Sequence, residues 1–330
     1  MNKILVYLLS IFLIISILLT SCNSLDSLTA PSASSPTPTT KEEEREPDLP
    51  LRSSTPIILT TVASGEDVVQ SADGAATIDT SHINEGYVMV KYSGANTQPM
   101  IQIAQISDSG KPSYNYHIQD FGQFGTYPLS LGNGEYIIKV LEWVSGKDYY
   151  SILEKVVTVT IDNEFLPFLH PNAYVNFNEN SKAVLKGQEL AEGTYTDIEV
   201  ITNIFDFVTS NIKYDDDLAT KVTTNEISVY FPDIDRTLDT KKGICWDYAS
   251  LMASMLRSQG IPTKLVMGHV GEVYHAWISC YTKETGWMDN IIEFDGKQWK
   301  LIDPTFYANS NGKRKSTVGD GQNYLEKFFY

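Results

Sequence analysis

The chain has 330 residues, 42% of them hydrophobic, with 41 acidic and 25 basic side chains and a formal net charge of −16. Such an acidic surface repels the phosphates of nucleic acids, so the charge argues against a nucleic-acid partner. The length allows a sizeable core and, without its N-terminal segments, predicts two domains of modest size.

The first segment, residues 1–21, has the pattern of an export signal. Lys3 precedes an almost unbroken apolar run that ends in small residues. An uncleaved membrane helix is the alternative, at the lower limit of length for a span. The sequence LTSC at residues 19–22 resembles the bacterial lipobox, so we expect a mature chain lipidated at Cys22 on the extracytoplasmic face of the cell membrane. Cleavage would remove only the charge of Lys3, so −16 would become −17.

Residues 22–54 are predicted to form a disordered tether. Ser, Thr, Pro and Ala dominate its first part, and the charged run KEEEREPD follows at residues 41–48. A segment of this composition cannot bury enough apolar surface to fold. The tether would hold the folded part of the chain away from the membrane.

Residues 55–165 alternate between apolar and polar side chains in short runs, a pattern typical of β-strands. YVMVKY at residues 87–92 and EYIIKVLEWV at residues 135–144 are examples, and turn sequences separate such runs. The spacing predicts an antiparallel β-sandwich, with an immunoglobulin-like topology as the hypothesis. His82 and His117 have no catalytic grouping around them and are expected to be surface or structural residues.

A second domain is predicted for residues 166–330, after the proline-containing hinge FLPFLHPN. Apolar residues first recur at helical spacing over residues 196–211, which predicts an amphipathic helix. A second helical pattern runs from Cys245 to Gln259, with Gly260 and Pro262 as its stop signals.

Cys245 falls in the first turn of that second helix, where free backbone N–H groups and the helix dipole favour an anion. Its thiol is therefore predicted to ionise readily, with a pKa of roughly 3.5 to 7.5 if a cationic histidine assists. Cys280 is the other internal cysteine, and an exported protein tolerates a disulfide between the two. Cys280 lies five residues past His275, an odd offset, which favours a core thiol on the opposite face of a strand.

Two histidines follow the helix and are candidate bases. His275 lies in the strand-like run YHAWISCY, and His269 in VMGHV is the reserve candidate. A further strand, in QWKLIDPTF, ends at Asp303, where Pro304 would stop the hydrogen-bonding ladder. A thiol, an imidazole and a carboxylate are the groups that nucleophilic catalysis by cysteine needs.

The segments GICWDYASLMASMLRSQGIPTKLVMG, YHAW and WKLIDPTF resemble the transglutaminase-like superfamily of papain-type cysteine enzymes, over about residues 195–307. The resemblance implies an α+β catalytic domain in which Cys245, His275 and Asp303 form the triad. It implies a protein or peptide substrate whose amide is attacked to give a thioester, with no cofactor and no metal.

Stabilisation of the developing oxyanion is assigned to the backbone N–H of Cys245 and, as a hypothesis, to the side chain of Tyr230. Tyr230 could equally be a core residue of ISVYF. The alternative function is a lipid-tethered binding or scaffold protein that retains the fold without turnover, with the β-sandwich providing the contacts. Nothing in the sequence indicates the oligomeric state.

Overall fold

The computed structural model describes residues 49–106, 110–270, 272–289, 293–294, 299–300 and 324–330. The predicted signal, Cys22, nearly all of the tether and Asp303 therefore lie outside the described residues. In the described part of the chain, no helix is both long enough and apolar enough to cross a membrane.

The first half of the described chain folds into two antiparallel sheets. Their strands are β1 (Val68–Gln70), β2 (Ala76–Asp79), β3 (Tyr87–Tyr92), β4 (Met100–Gln105), β5 (Tyr114–His117), β6 (Phe124–Pro128), β7 (Gly134–Ser145) and β8 (Asp148–Val159). As far as the described residues go, one sheet has the order β1-β2-β3-β6 and the other β5-β4-β7-β8.

Alternating burial explains why these strands form sheets with one face in the core. In β4, Ile101 and Ile103 are buried while Gln102 between them is not. The two sheets contact each other through Tyr116 and Tyr127, whose ring centroids are 5.0 Å apart. The antiparallel strands agree with the α+β expectation, whereas the immunoglobulin-like topology stays a prediction.

The second half combines helices with short strands. Its elements are α1 (Lys182–Ala191), α2 (Asp197–Asn211), β9 (Lys213–Tyr214), α3 (Asp216–Thr223), α4 (Ile234–Thr240), β10 (Lys242–Gly243), α5 (Cys245–Ser258), β11 (Thr263–Val270), β12 (Val273–Thr282), β13 (Gly286–Met288), β14 (Glu293–Phe294), β15 (Trp299–Lys300) and β16 (Tyr324–Phe329). An antiparallel sheet has the order β13-β12-β11-β16 in the described residues.

Local signals determine where α2 and α5 begin and end. Thr196 caps α2 by accepting the N–H of Glu199, whose carboxylate in turn accepts the N–H of Thr196. Helix α5 stops before Gly260, which adopts the left-handed conformation with φ of +72°. Both helices cover the ranges that the sequence predicts to within one residue.

The core of the second half lies between α5 and the sheet that contains β11 and β12. Leu251 and Met255 of α5 are fully buried, as are Leu265 of β11 and Ile278 of β12. All four belong to a hydrophobic core that also includes buried residues of the first half of the chain. This packing fixes the N-terminus of α5 against the start of β12.

Residues 49–61 form neither a helix nor a strand, and they contact the C-terminal end of α5. The side chain of Arg52 donates to Asp197 over 2.6 Å, and the N–H of Ile57 donates to the carbonyl of Ser258 over 2.7 Å. Arg52 belongs to the segment that the sequence assigns to the tether, so hydrogen bonding to the folded part begins before residue 55. The described residues from Leu49 onward belong to one compact unit. The domain boundary between residues 165 and 166 stays a prediction.

Candidate active site

Cys245 is the first residue of α5, as the sequence predicts. Ile244 before it is extended, with φ of −94° and ψ of 178°, and accepts the first helical hydrogen bond from Tyr248 over 3.1 Å. Gly243 allows the tight entry, because a Cβ at that position would lie 2.6 Å from the Cβ of Asp247. The local chain therefore presents Cys245 with the N–H groups of a first helical turn.

Cys245 and Cys280 are both free thiols, so the structure decides against the disulfide alternative. Cys280 is fully buried in the core, where its sulfur lies 3.9 Å from the hydroxyl of Thr263. Cys245 keeps partial solvent access. Of the two cysteines, Cys245 is the more exposed residue, although burial still affects its thiol.

The thiol of Cys245 does not have the lowered pKa that its helix position predicts. Burial raises its pKa to about 11, and the negative charge of Asp247 adds to the increase. Hydrogen bonds from the backbone of Ala276 and Trp246 act in the opposite direction without cancelling it. The cost of desolvating the thiolate is larger than its stabilisation by the N-terminus of α5. The resting thiol is therefore neutral at pH 7.

This pKa predicts slow alkylation of Cys245 by iodoacetamide at neutral pH. Because the thiolate is the nucleophile, its rate should rise about tenfold per pH unit up to a pH near the pKa. Peptide mapping by mass spectrometry over pH 6 to 10 measures this, with Cys245→Ser as the background. Cys280, whose pKa burial raises to about 12, should remain unlabelled. A rate for Cys245 that is already at its plateau at pH 7 would contradict the neutral resting thiol.

His275 precedes Ala276, whose backbone contacts Cys245, but the side chain of His275 faces away from the thiol. The backbone of Ala276 hydrogen bonds to the thiol, whereas the imidazole of His275 stacks near Trp277 at 6.5 Å between ring centroids. Ala276 and Ile278 belong to the core shared with α5. Since neighbouring strand residues face opposite sides, His275 and Trp277 face away from α5.

The imidazole of His275 is nearly buried, and within the described residues its Nε2 has no hydrogen-bond partner. Burial lowers its pKa to about 4, so the ring is neutral at pH 7. A neutral imidazole has the protonation state of a general base. The triad nevertheless stays a prediction, because Asp303 lies outside the described residues and the ring of His275 faces the other side of β12.

His269, the reserve candidate, lies on the α5 side of the same sheet. It pairs across the ladder with Tyr274, and the two ring centroids are 5.3 Å apart in an edge-on arrangement. The hydroxyl of Tyr274 lies 3.6 Å from the sulfur of Met267, a core residue. Nδ1 of His269 is buried without a hydrogen-bond partner among the described residues.

Tyr230 is hydrogen-bonded to Asp247, two residues after Cys245. Its hydroxyl is 2.6 and 2.8 Å from the two carboxylate oxygens of Asp247 and accepts from the guanidinium of Arg236. The hydroxyl proton is therefore donated to Asp247, and the oxyanion role of Tyr230 stays a prediction. Sequence reasoning missed Asp247 and Arg236, although a carboxylate two residues after the cysteine, in an otherwise apolar buried helix, was a usable signal.

Aromatic side chains connect the start of α5 to the first half of the chain. The rings of Trp246 and Tyr174 are 4.9 Å apart, and Tyr174 in turn lies 5.3 Å from Tyr116 of β5. Trp246 is also 6.1 Å from the ring of Tyr230. The sheet that contains β5 is therefore connected to the start of α5 through Tyr174. In the described residues, no group of three or more His, Cys, Asp or Glu could hold a metal ion.

Part of the chain is similar to known proteins. Residues 186–290 match the model of the transglutaminase-like superfamily. A protein-glutamine gamma-glutamyltransferase of Pseudomonas aeruginosa is 27% identical over 106 residues, which cover 27% of this chain and 14% of that protein. The chain thus spans about a seventh of the length of this curated relative.

Two solved structures are more distantly similar. A candidate cysteine protease from Cytophaga hutchinsonii is 14% identical, with a TM-score of 0.35, and the match covers 74% of this chain and 79% of that one. Red sea bream transglutaminase is 12% identical, with a TM-score of 0.26, and the match covers 66% of this chain and 48% of that one. The family-model match covers residues 186–290, which is less than half of the chain.

Proposed function

Because residues 186–290 form a transglutaminase-like domain, we propose that the protein is a cysteine enzyme acting on carboxamides of peptides or of glutamine side chains. The observation that carries the proposal is the unbridged thiol of Cys245, a partly exposed residue that begins α5 inside the matched region. The curated relative's name, a protein-glutamine gamma-glutamyltransferase, supports this substrate class.

In the proposed reaction the sulfur of Cys245 attacks the carbonyl carbon while its proton passes to an imidazole. The C–N bond then breaks, the imidazole returns the proton to the departing ammonia or amine, and a thioester remains on Cys245. Water resolves the thioester to a carboxylic acid, or a primary amine resolves it to a new amide. A neutral resting thiol fits this sequence, since the base removes the proton during the attack.

The base in this proposal is His275, oriented by Asp303, as the resemblance to the superfamily implies. This role rests on the resemblance, since the ring of His275 lies on the face of β12 opposite to α5. His269 is the alternative base, favoured by its position on the α5 side beside Tyr274. The N–H of Cys245 is the proposed oxyanion donor, and Tyr230 would join it only by releasing Asp247.

We further propose that Cys22 is lipidated after export and that the tether links the enzyme to the extracytoplasmic face of the cell membrane. The immunoglobulin-like sandwich would then be an accessory domain beside the catalytic one. Its contact with Trp246 through Tyr174 supports a direct contribution to the site. The alternative function, a silent scaffold tethered by lipid, keeps the same anchor and requires no chemistry at Cys245.

Incubating the mature chain with a glutamine-bearing peptide, with and without a primary amine, tests the proposal. We expect mass spectrometry to show deamidated peptide with water alone or an amine-linked peptide with the amine present. His275→Gln should reduce this turnover by at least about 10²-fold, while His269→Gln should have a small effect. The reverse result would make His269 the base, and no product under either condition would favour the scaffold.

A further inference from the structure

We propose that Asp247, Tyr230 and Arg236 form a charge-compensated network that positions Cys245 and controls how readily its thiol reacts. This inference rests on the proposed function for its catalytic meaning, but not for its test. Asp247 is the centre of the network and lies two residues after Cys245 in the first turn of α5.

The carboxylate of Asp247 is completely buried and accepts several hydrogen bonds. Its partners are the hydroxyl of Tyr230 at 2.6 Å and the backbone N–H of Ile244 at 2.9 Å. The second bond holds the residue that immediately precedes Cys245. Asp247 therefore fixes the backbone from which the thiol and the N–H of Cys245 project.

Arg236 compensates the charge of this carboxylate from the surface. Its guanidinium donates to the hydroxyl of Tyr230 and lies 3.2 Å from a carboxylate oxygen of Asp247. The side chain of Arg236 is 42% exposed, while that of Asp247 is fully buried. A buried carboxylate is costly without such partners. Burial raises the pKa of Asp247, and the hydrogen bond from Tyr230 and the charge of Arg236 oppose that increase.

Helix capping alone does not account for the network. Ile244 occupies the capping position and has no side-chain acceptor, so Asp247 supplies one half of a capping box through the N–H of Ile244. That single bond needs neither a tyrosine nor an arginine. The additional partners indicate that the charge of Asp247 has to be held and compensated beside Cys245.

The charge of Asp247 acts directly on the nucleophile. It raises the pKa of Cys245, in addition to the larger effect of burial. Tyr214 on β9 and Tyr274 on β12 also interact electrostatically with Cys245. By compensating Asp247, Arg236 limits the repulsion that a thiolate at Cys245 would meet, so the two charged residues should influence the thiol in opposite directions.

The test is the rate at which iodoacetamide alkylates Cys245 at pH 8, measured by peptide mapping on the mature chain. Arg236→Gln leaves Asp247 uncompensated and should slow alkylation about three- to tenfold, whereas Asp247→Asn removes the negative charge and should accelerate it by a similar factor. Arg236→Lys keeps the positive charge and should slow alkylation less than Arg236→Gln does.

Opposite signs for Arg236→Gln and Asp247→Asn would support the network, because loosening of the helix alone would move both rates in one direction. Equal signs, or an unchanged rate in Arg236→Gln, would overturn it. If Asp247→Asn does not fold, the Arg236 variants decide, since that side chain reaches the surface. No substrate is involved, so the result stands even if no thioester is ever formed.

Tyr230→Phe separates the network from the oxyanion hypothesis for the same residue. Loss of the hydroxyl removes a donor to Asp247, so the network predicts slower alkylation of Cys245. An oxyanion donor would leave alkylation unchanged and reduce only amide turnover. Unchanged alkylation in Tyr230→Phe would therefore count against the network.

Discussion

Replacing Cys245 by alanine is expected to reduce amide turnover by at least about 10³-fold, because no other group in the proposed mechanism can form the thioester. Cysteine and alanine are similar in size, so the variant should fold, and circular dichroism checks this. Turnover of a glutamine-bearing peptide, followed by mass spectrometry, is the measurement.

Cys280→Ala is the matched control for this experiment. It also removes a free thiol, but one on β12 that is fully buried in the core. We expect Cys280→Ala to retain turnover while losing some stability, as a small cavity in the core requires. Equal loss of turnover in both variants would indicate damage to the fold and would remove the special role of Cys245.

The second large effect is expected at Arg257, a fully buried arginine in the last turn of α5. Its guanidinium donates to the main-chain carbonyls of His170 at 2.7 Å, Thr263 at 2.9 Å and Tyr330 at 2.5 Å. These carbonyls belong to the hinge, to β11 and to the residue after β16. Arg257 thus joins three separate parts of the chain to the helix that carries Cys245.

Arg257→Met should lower the free energy of unfolding by about 3 to 5 kcal/mol, because it removes three buried hydrogen bonds from a charged group. Urea denaturation measures the change. Arg257→Lys, which cannot reach all three carbonyls, should lose most of the same stability. The control is Lys182→Met, which breaks an exposed ion pair with Asp239 and should cost less than about 1 kcal/mol. A loss at Arg257 no larger than at Lys182 would show that the network contributes little.

The sequence could predict the elements that depend on local patterns. The range of α5 follows from its apolar face and from Gly260, and β3 coincides with the alternating run YVMVKY. The position of Cys245 at a helix start follows from the same pattern. Periodicity and stop signals are properties of neighbouring residues, so no tertiary information was needed.

Features that depend on packing could not be predicted in this way. The lowered pKa expected for Cys245 was wrong, because burial by other elements outweighs the helix N-terminus. The face of β12 on which His275 lies depends on which side α5 packs. The contact of Arg52 with Asp197 joins residues 145 positions apart, and no local pattern encodes such a pairing.

The buried network around Asp247 could not be predicted from local sequence patterns either. The sequence pattern places Asp247 in the first turn of a helix, where acidic residues are common. Only the structure reveals that Tyr230 and Arg236 come from outside the helix to bind it. The chemistry of this site therefore depends on contacts that join α5 to α4 and to the chain before α4, and no local sequence pattern predicts them.

Trapping the acyl-enzyme tests the central claim most directly. The mature chain is mixed with a glutamine-bearing peptide, quenched in acid within seconds, and digested for mass spectrometry. The proposed mechanism predicts that the fragment containing Cys245 gains the mass of the peptide less one ammonia, and that hydroxylamine removes this adduct. Turnover without any adduct on Cys245, or an acyl group carried by a different residue, would contradict it.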